Sequence, residues 1–124
     1  MQKPFSRSVG HIFADRERAL ALAREAAHRL AAAHPSVTRV LLFGSFARGD
    51  YTVKSDLDLL VVFSACELER RERVRELLGS LPAYPIDLFP YTESELSAAA
   101  REGDPFLTRA LEEGLEVFRR ATAP

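Results

Sequence analysis

Residues Leu42 to Val62 read LFGSFARGDYTVKSDLDLLVV. An apolar, β-branched run from Val37 to Phe43 ends at Gly44-Ser45, and ten residues later Asp56-Leu57-Asp58 opens a second apolar run that lasts to Phe63. Runs of this kind bounded by Gly and Asp predict two strands. Leu59 to Phe63 is apolar at every position, which predicts a strand covered on both faces and therefore a central one. The stretch between the strands allows a short helix, Ser45 to Arg48, and a turn at Gly49-Asp50.

Residues two apart on a strand point to the same face. Asp56 and Asp58 therefore share one, about 6–7 Å apart along the chain, and Leu57 points to the core. Two carboxylates that close repel each other unless a cation lies between them. Mg²⁺ suits the place, because it takes oxygen ligands from one or two carboxylates and from substrate phosphates. Gly44 lacks a Cβ and lets backbone and phosphate approach closely. A helix beginning at Ser45 would turn its N–H groups toward an anion. The Ser45 hydroxyl and the Arg48 guanidinium could add further donors. Alone, a Gly-Ser pair is a turn and an Asp-x-Asp is a solvated loop. The two together, between two apolar strands, read as the parts of a nucleotide–metal site.

The rest of the chain arranges itself around that stretch. Met1 to Phe13 reads as a loose lead-in. Asp15 to Ala33 is rich in helix formers, with Leu20, Ala23, Ala27 and Leu30 as its apolar stripe, and Pro35 stops it. His28 falls on the polar face of that helix and His34 near its end, so neither reads as a metal ligand. Cys66 to Ser80 reads as a helix, with Leu68, Val74, Leu77 and Leu78 inward. Glu69, Arg70, Arg71, Glu72, Arg73 and Glu76 make its solvated outer face. Tyr84 to Phe89, bracketed by prolines, reads as a third strand carrying Asp87 between Ile86 and Leu88. A carboxylate in the middle of an apolar strand is costly unless paired or metal-bound, so Asp87 is a candidate third acid. Thr92 to Glu95 has the form of a capping box opening a helix to about Arg101. Asp104-Pro105 starts a last helix striped by Phe106, Leu107, Ala110 and Leu111. Leu115 to Phe118 is a candidate final strand. Phe89, Tyr91 and Phe106 read as core or partner surface.

Gly44-Ser45, Ala47-Arg48-Gly49 and Ser55-Asp56-Leu57-Asp58 resemble the signature of the polymerase-beta-like nucleotidyltransferase superfamily. More narrowly, they resemble the minimal nucleotidyltransferase antitoxins that are paired with HEPN toxins. The resemblance spans roughly Val37 to Phe118. It implies a nucleotidyltransferase fold and a reaction that moves a nucleoside monophosphate, AMP from ATP, to an acceptor hydroxyl. It implies Asp56, Asp58 and Asp87 as catalytic residues and ligands of two Mg²⁺ ions. It also implies Gly44, Ser45 and Arg48 as the nucleotide-binding residues. The acceptor it implies is a tyrosine on a HEPN toxin, silenced by the modification. Two other readings stay open: an antitoxin that neutralises its partner by binding alone, and a small-molecule nucleotidyltransferase.

The bounds agree. The 124 residues predict one domain of α/β class, a small mixed sheet covered by helices. A short link between the first two strands allows an antiparallel pair, and a helical link to the third favours a parallel, right-handed crossover. Hydrophobic residues make up 47% and charged residues 28%, an ordinary globular composition, and the net charge of −1 advertises no nucleic-acid surface. A single cysteine, Cys66, allows no internal disulfide and fits a reducing compartment. No apolar stretch is long enough to span a membrane, and the start lacks the apolar core of a signal peptide, so a cytoplasmic protein is expected. Homo-oligomerisation is left open by the sequence.

Overall fold

A computed structural model describes residues 16–51, 56–83 and 85–121. The lead-in 1–13, the expected helix start at Asp15, Ser55 and the expected strand start at Tyr84 lie outside these. In chain order the described elements are α1 (Arg16–Ala33), β1 (Val37–Phe43), α2 (Ser45–Arg48), β2 (Leu57–Phe63) and α3 (Arg70–Leu78). Then follow β3 (Ile86–Thr92), α4 (Glu93–Glu102), α5 (Pro105–Glu113) and β4 (Leu115–Arg119).

The strands form one mixed sheet in the order β3-β2-β1-β4. β1 runs antiparallel to both β2 and β4, and β2 runs parallel to β3. The short α2 link and the longer α3 crossover produce those two senses, as their lengths predict. β2 is central and buried at nearly every position, which accounts for its unbroken apolar run.

Alternation along the strands separates two cores. On one face Val40, Leu42, Leu57, Leu59 and Val61 meet Ala19, Ala23, Ala26, Ala27 and Leu30 of α1 and Leu77 of α3. The alanines let α1 lie close to the sheet. On the other face Leu41, Phe43, Leu60 and Val62 meet Leu96 and Ala99 of α4 and Leu107 and Ala110 of α5. Asp58 has the parity of Leu60, so it belongs to the α4/α5 face. There the apolar strip of β2 ends and a carboxylate begins.

Three readings of the sequence need correction. The helix after β2 is shorter than expected, so Leu68 precedes it and stays exposed, and Leu78 is exposed at its end. Arg73, read as part of a solvated face, is instead buried. Its Nη1 and Nη2 donate to the two carboxylate oxygens of Glu95 at 2.7 and 3.0 Å, and Nη1 also reaches the Pro90 carbonyl at 3.3 Å. A guanidinium can be buried this way because the fork–fork geometry satisfies its donors. Third, the strand with Asp87 starts at Ile86 and passes through Pro90 to Thr92. Proline is tolerated because β3 is an edge strand and its missing N–H lies on the unpaired side.

Glu95 also closes the capping box of α4, accepting from the Thr92 N–H at 2.9 Å while Thr92 Oγ1 accepts from the Glu95 N–H at 3.1 Å. The Arg73 hydrogen bond, with the Thr92 N–H in support, holds the Glu95 carboxyl down at about 2. Its stabilising contribution is complete above its ordinary value of 4.5 and is lost as pH falls toward about 2. Arg73→Ala should lower unfolding stability by about 2–4 kcal/mol at pH 7, read by urea denaturation. It should also flatten the acid limb of the stability curve. A loss under half a kcal/mol would mean that the pair is ornamental.

Candidate active site

Three chain segments converge where β1 ends and β2 and β3 begin. Antiparallel pairing sets Phe43, the last residue of β1, opposite Asp58. Parallel pairing sets Asp58 beside Asp87. Neighbouring strands are about 4.8 Å apart, so register partners carry their side chains on the same face at short range. Asp56 lies just ahead of β2 and is exposed.

Gly44 makes the bend from β1 into α2 at φ 79, ψ −151, a left-handed backbone that L side chains rarely adopt. The bend is pressed against Asp58. A Cβ built on Gly44 would overlap Asp58 Oδ2 and would stand 3.2 Å from its Cγ. Glycine is thus required twice, by φ and by the carboxylate. α2 is a single turn held from three sides. Phe46 is fully buried and stacks on Tyr51 with ring centroids 4.6 Å apart. Arg16 donates to the Phe46 and Ala47 carbonyls at 3.0 and 3.2 Å. Gly49, at φ 93, caps the turn with its N–H on the Ser45 carbonyl at 2.8 Å.

A cleft of about 510 Å³ opens beside this bend. One wall is Phe43, Gly44, Ser45, Arg48 and Asp58, and the other is α5, with Phe106, Arg109, Ala110 and Glu113. Burial and then the negative charge of Asp87 and Asp56 push the Asp58 carboxyl up to about 6, against the pull of Arg48. Asp58 is therefore near enough to both Asp87 and Asp56 to feel their charge. They do not form a ready-made cage: among the described residues no group of three His, Cys, Asp or Glu side chains is placed to hold an ion by itself. Their chemistry still fits a hard divalent cation. All the donors are carboxylate oxygens, and burial with two neighbouring acids disfavours the Asp58 charge in the absence of a cation. Mg²⁺ bound by few carboxylates completes its shell with water and phosphate oxygens.

The expected site residues fare as follows. Gly44, Ser45, Arg48 and Asp58 line the cleft, and Asp87 is Asp58's register neighbour. Asp87 was expected in mid-strand, where burial would make it costly. It is instead the second residue of β3 and exposed. Arg48 is engaged with acids, donating to Asp50 at 3.2 Å and standing 3.6 Å from Glu113. Its pKa is raised, first by the hydrogen bond to Asp50. His28 and His34 lie elsewhere, against the Phe118 ring and the Ser80 hydroxyl respectively. The α5 wall is what sequence reasoning missed. The positions 106, 109, 110 and 113 share one helix face, but no local signal says that this face looks at Ser45.

A mixed four-stranded sheet with a Gly-Ser bend against an Asp-x-Asp strand defines a nucleotidyltransferase domain. The chain belongs to that family: its "Nucleotidyltransferase domain" profile matches residues 23–115. The fold is similar to that of a "putative nucleotidyltransferase" from Sulfolobus solfataricus, with a TM-score of 0.66 and 26% identity over 90% of this chain and 88% of that one. It is also similar to a chain in the crystal structure of a toxin–antitoxin with AMP-PNP. There the TM-score is 0.51 at 20% identity, over 78% of this chain and 73% of that one, a likeness of fold alone. A 26-residue stretch is 58% identical to the "putative protein adenylyltransferase MJ0604" of Methanocaldococcus jannaschii. That match spans 21% of this chain and about a quarter, 26%, of the other protein. No helix among the described residues is long and apolar enough to cross a membrane.

Proposed function

We propose that this domain transfers AMP from ATP to a hydroxyl on a partner protein, a tyrosine of a HEPN-type toxin, and so acts as an antitoxin. The observation that carries the chemistry is the Asp58 carboxylate, flanked by Asp87 and Asp56 and pressed on the Gly44-Ser45 bend at the mouth of a nucleotide-sized cleft. A 26-residue likeness to a "putative protein adenylyltransferase" and a fold shared with a chain in the structure of a toxin–antitoxin with AMP-PNP support the choice of nucleotide and partner.

Each part of the site then has a task. Gly44 and Ser45 offer N–H and hydroxyl donors to the β- and γ-phosphates, and Arg48 joins them by exchanging a carboxylate for a phosphate oxygen. Asp56, Asp58 and Asp87 would hold Mg²⁺, two ions in this reading, which when bound offsets the triphosphate's charge and that of the leaving pyrophosphate. The acceptor oxygen attacks the α-phosphorus, the bond to the bridging oxygen of the β-phosphate breaks, and pyrophosphate departs. The acceptor's proton passes to a carboxylate, for which Asp87, exposed on the edge strand, is the accessible choice. Positioning and charge supply most of the rate in such transfers.

The test is label transfer. With α-³²P-ATP, Mg²⁺ and the toxin encoded beside it, the protein should label the toxin, and a Tyr→Phe change at the acceptor should remove the label. Absence of label with any of the four nucleoside triphosphates would refute the proposal.

A further inference from the structure

The α5 wall of the cleft places Phe106, Arg109, Ala110 and Glu113 on successive turns of one helix face, opposite Gly44, Ser45 and Asp58. The charges on the two walls are unequal in their freedom. Arg48 already faces two acids, Asp50 at 3.2 Å and Glu113 at 3.6 Å. Among the described residues Arg109 has no carboxylate within ion-pair distance, so it is the uncompensated cation of the cleft. Every other full charge lining it is either Asp58 or a member of the Arg48–Glu113 pair. A nucleoside triphosphate brings about four negative charges, and of the two guanidinium groups lining the cleft Arg48 is already engaged with acids.

We infer that Arg109 is a binding residue for the polyphosphate of the incoming nucleotide, supplied by α5 across from the Gly44-Ser45 bend. The inference rests on the nucleotidyltransferase reading above and adds to it a second guanidinium, drawn from the helix that otherwise only seals the sheet. A long side chain on a turn whose neighbours Leu107 and Ala110 are buried has a fixed root and a free head. It can hold phosphate without cost to the core. The class of ligand follows from the chemistry: a planar guanidinium fork with no carboxylate partner among the described residues matches phosphate oxygens.

Isothermal titration with Mg²⁺·AMP-PNP and, separately, with AMP tests this. Arg109→Ala should weaken AMP-PNP binding about ten- to hundredfold, the usual range for a charge-assisted contact, and leave AMP binding within about twofold of wild type. Arg109→Lys should recover part of the loss. In steady-state assays the KM for ATP should rise more than kcat falls. Unchanged AMP-PNP affinity in Arg109→Ala, or equal losses for AMP and AMP-PNP, overturns the inference while the nucleotidyltransferase reading stands. Failure of the wild-type protein to bind AMP-PNP at all overturns both. Arg109 is exposed, so a folded variant is expected, and its circular dichroism checks this.

Discussion

Asp58→Asn should cripple nucleotidyl transfer and at the same time raise the melting temperature of the metal-free protein. The two effects have one cause. Asp58 sits half-buried beside Asp87 and Asp56, and its carboxyl is pushed up to about 6 from its ordinary 3.8. A carboxyl raised by folding binds more protons in the native state than in the unfolded one between those values. Stability therefore falls as pH rises from about 3.8 through about 6, and above that the full penalty is present. Removing the charge removes the penalty, about 1–2 kcal/mol once solvent screening at a half-exposed site is allowed for. For a domain of this size that is a gain of about 4–8 °C at pH 8. Transfer should fall roughly a hundred- to thousandfold, as when a preorganised charge is taken from a transition state. Mg²⁺ should raise the melting temperature of the wild type and not that of the variant. A variant that melts at or below the wild type at pH 8 would contradict the electrostatic account. If Asp58→Asn still neutralised the toxin in full, neutralisation by adenylylation would be refuted and binding alone would explain it.

Gly44→Ala has the second large expected effect. The new methyl would overlap Asp58 Oδ2, and the backbone would have to keep φ 79 with a Cβ attached. The backbone term is about 1 kcal/mol, and the displaced carboxylate adds one or two more. Activity should drop at least about a hundredfold, because a shift on the order of 1 Å at a reacting group costs that much. A double-mutant cycle separates the terms. In an Asp58→Ala background, where the overlap is gone, Gly44→Ala should cost only the backbone share. Equal costs in both backgrounds would show that the contact with Asp58 is irrelevant.

What could be read in advance follows the range of the forces involved. The Gly44-Ser45 bend and the Asp56-Leu57-Asp58 opening were legible because turn chemistry and strand parity act within a few residues. The mixed pairing was legible because link lengths limit it. Long-range arrangements were not. Arg73 looked like one charge in a solvated run, and only its two-oxygen contact with Glu95, from another element, makes its burial tolerable. Leu68 and Leu78 looked like core because their spacing is helical, but the helix covers only Arg70–Leu78. Pro90 looked like the end of a strand, because nothing local says that β3 lies at the margin of the sheet. The Arg109 and Glu113 wall had no local signature either, since a cleft between two helices exists only once both have packed on β1.

Pro90 has one more consequence. A marginal strand with free amides and carbonyls invites another chain to zip onto it. On β3 that invitation is blunted at one position: Pro90 brings no amide, and the Arg73 guanidinium takes its carbonyl at 3.3 Å. A chain added along β3 would therefore find no partner at that position, which makes this margin a poorer template than an unbroken strand.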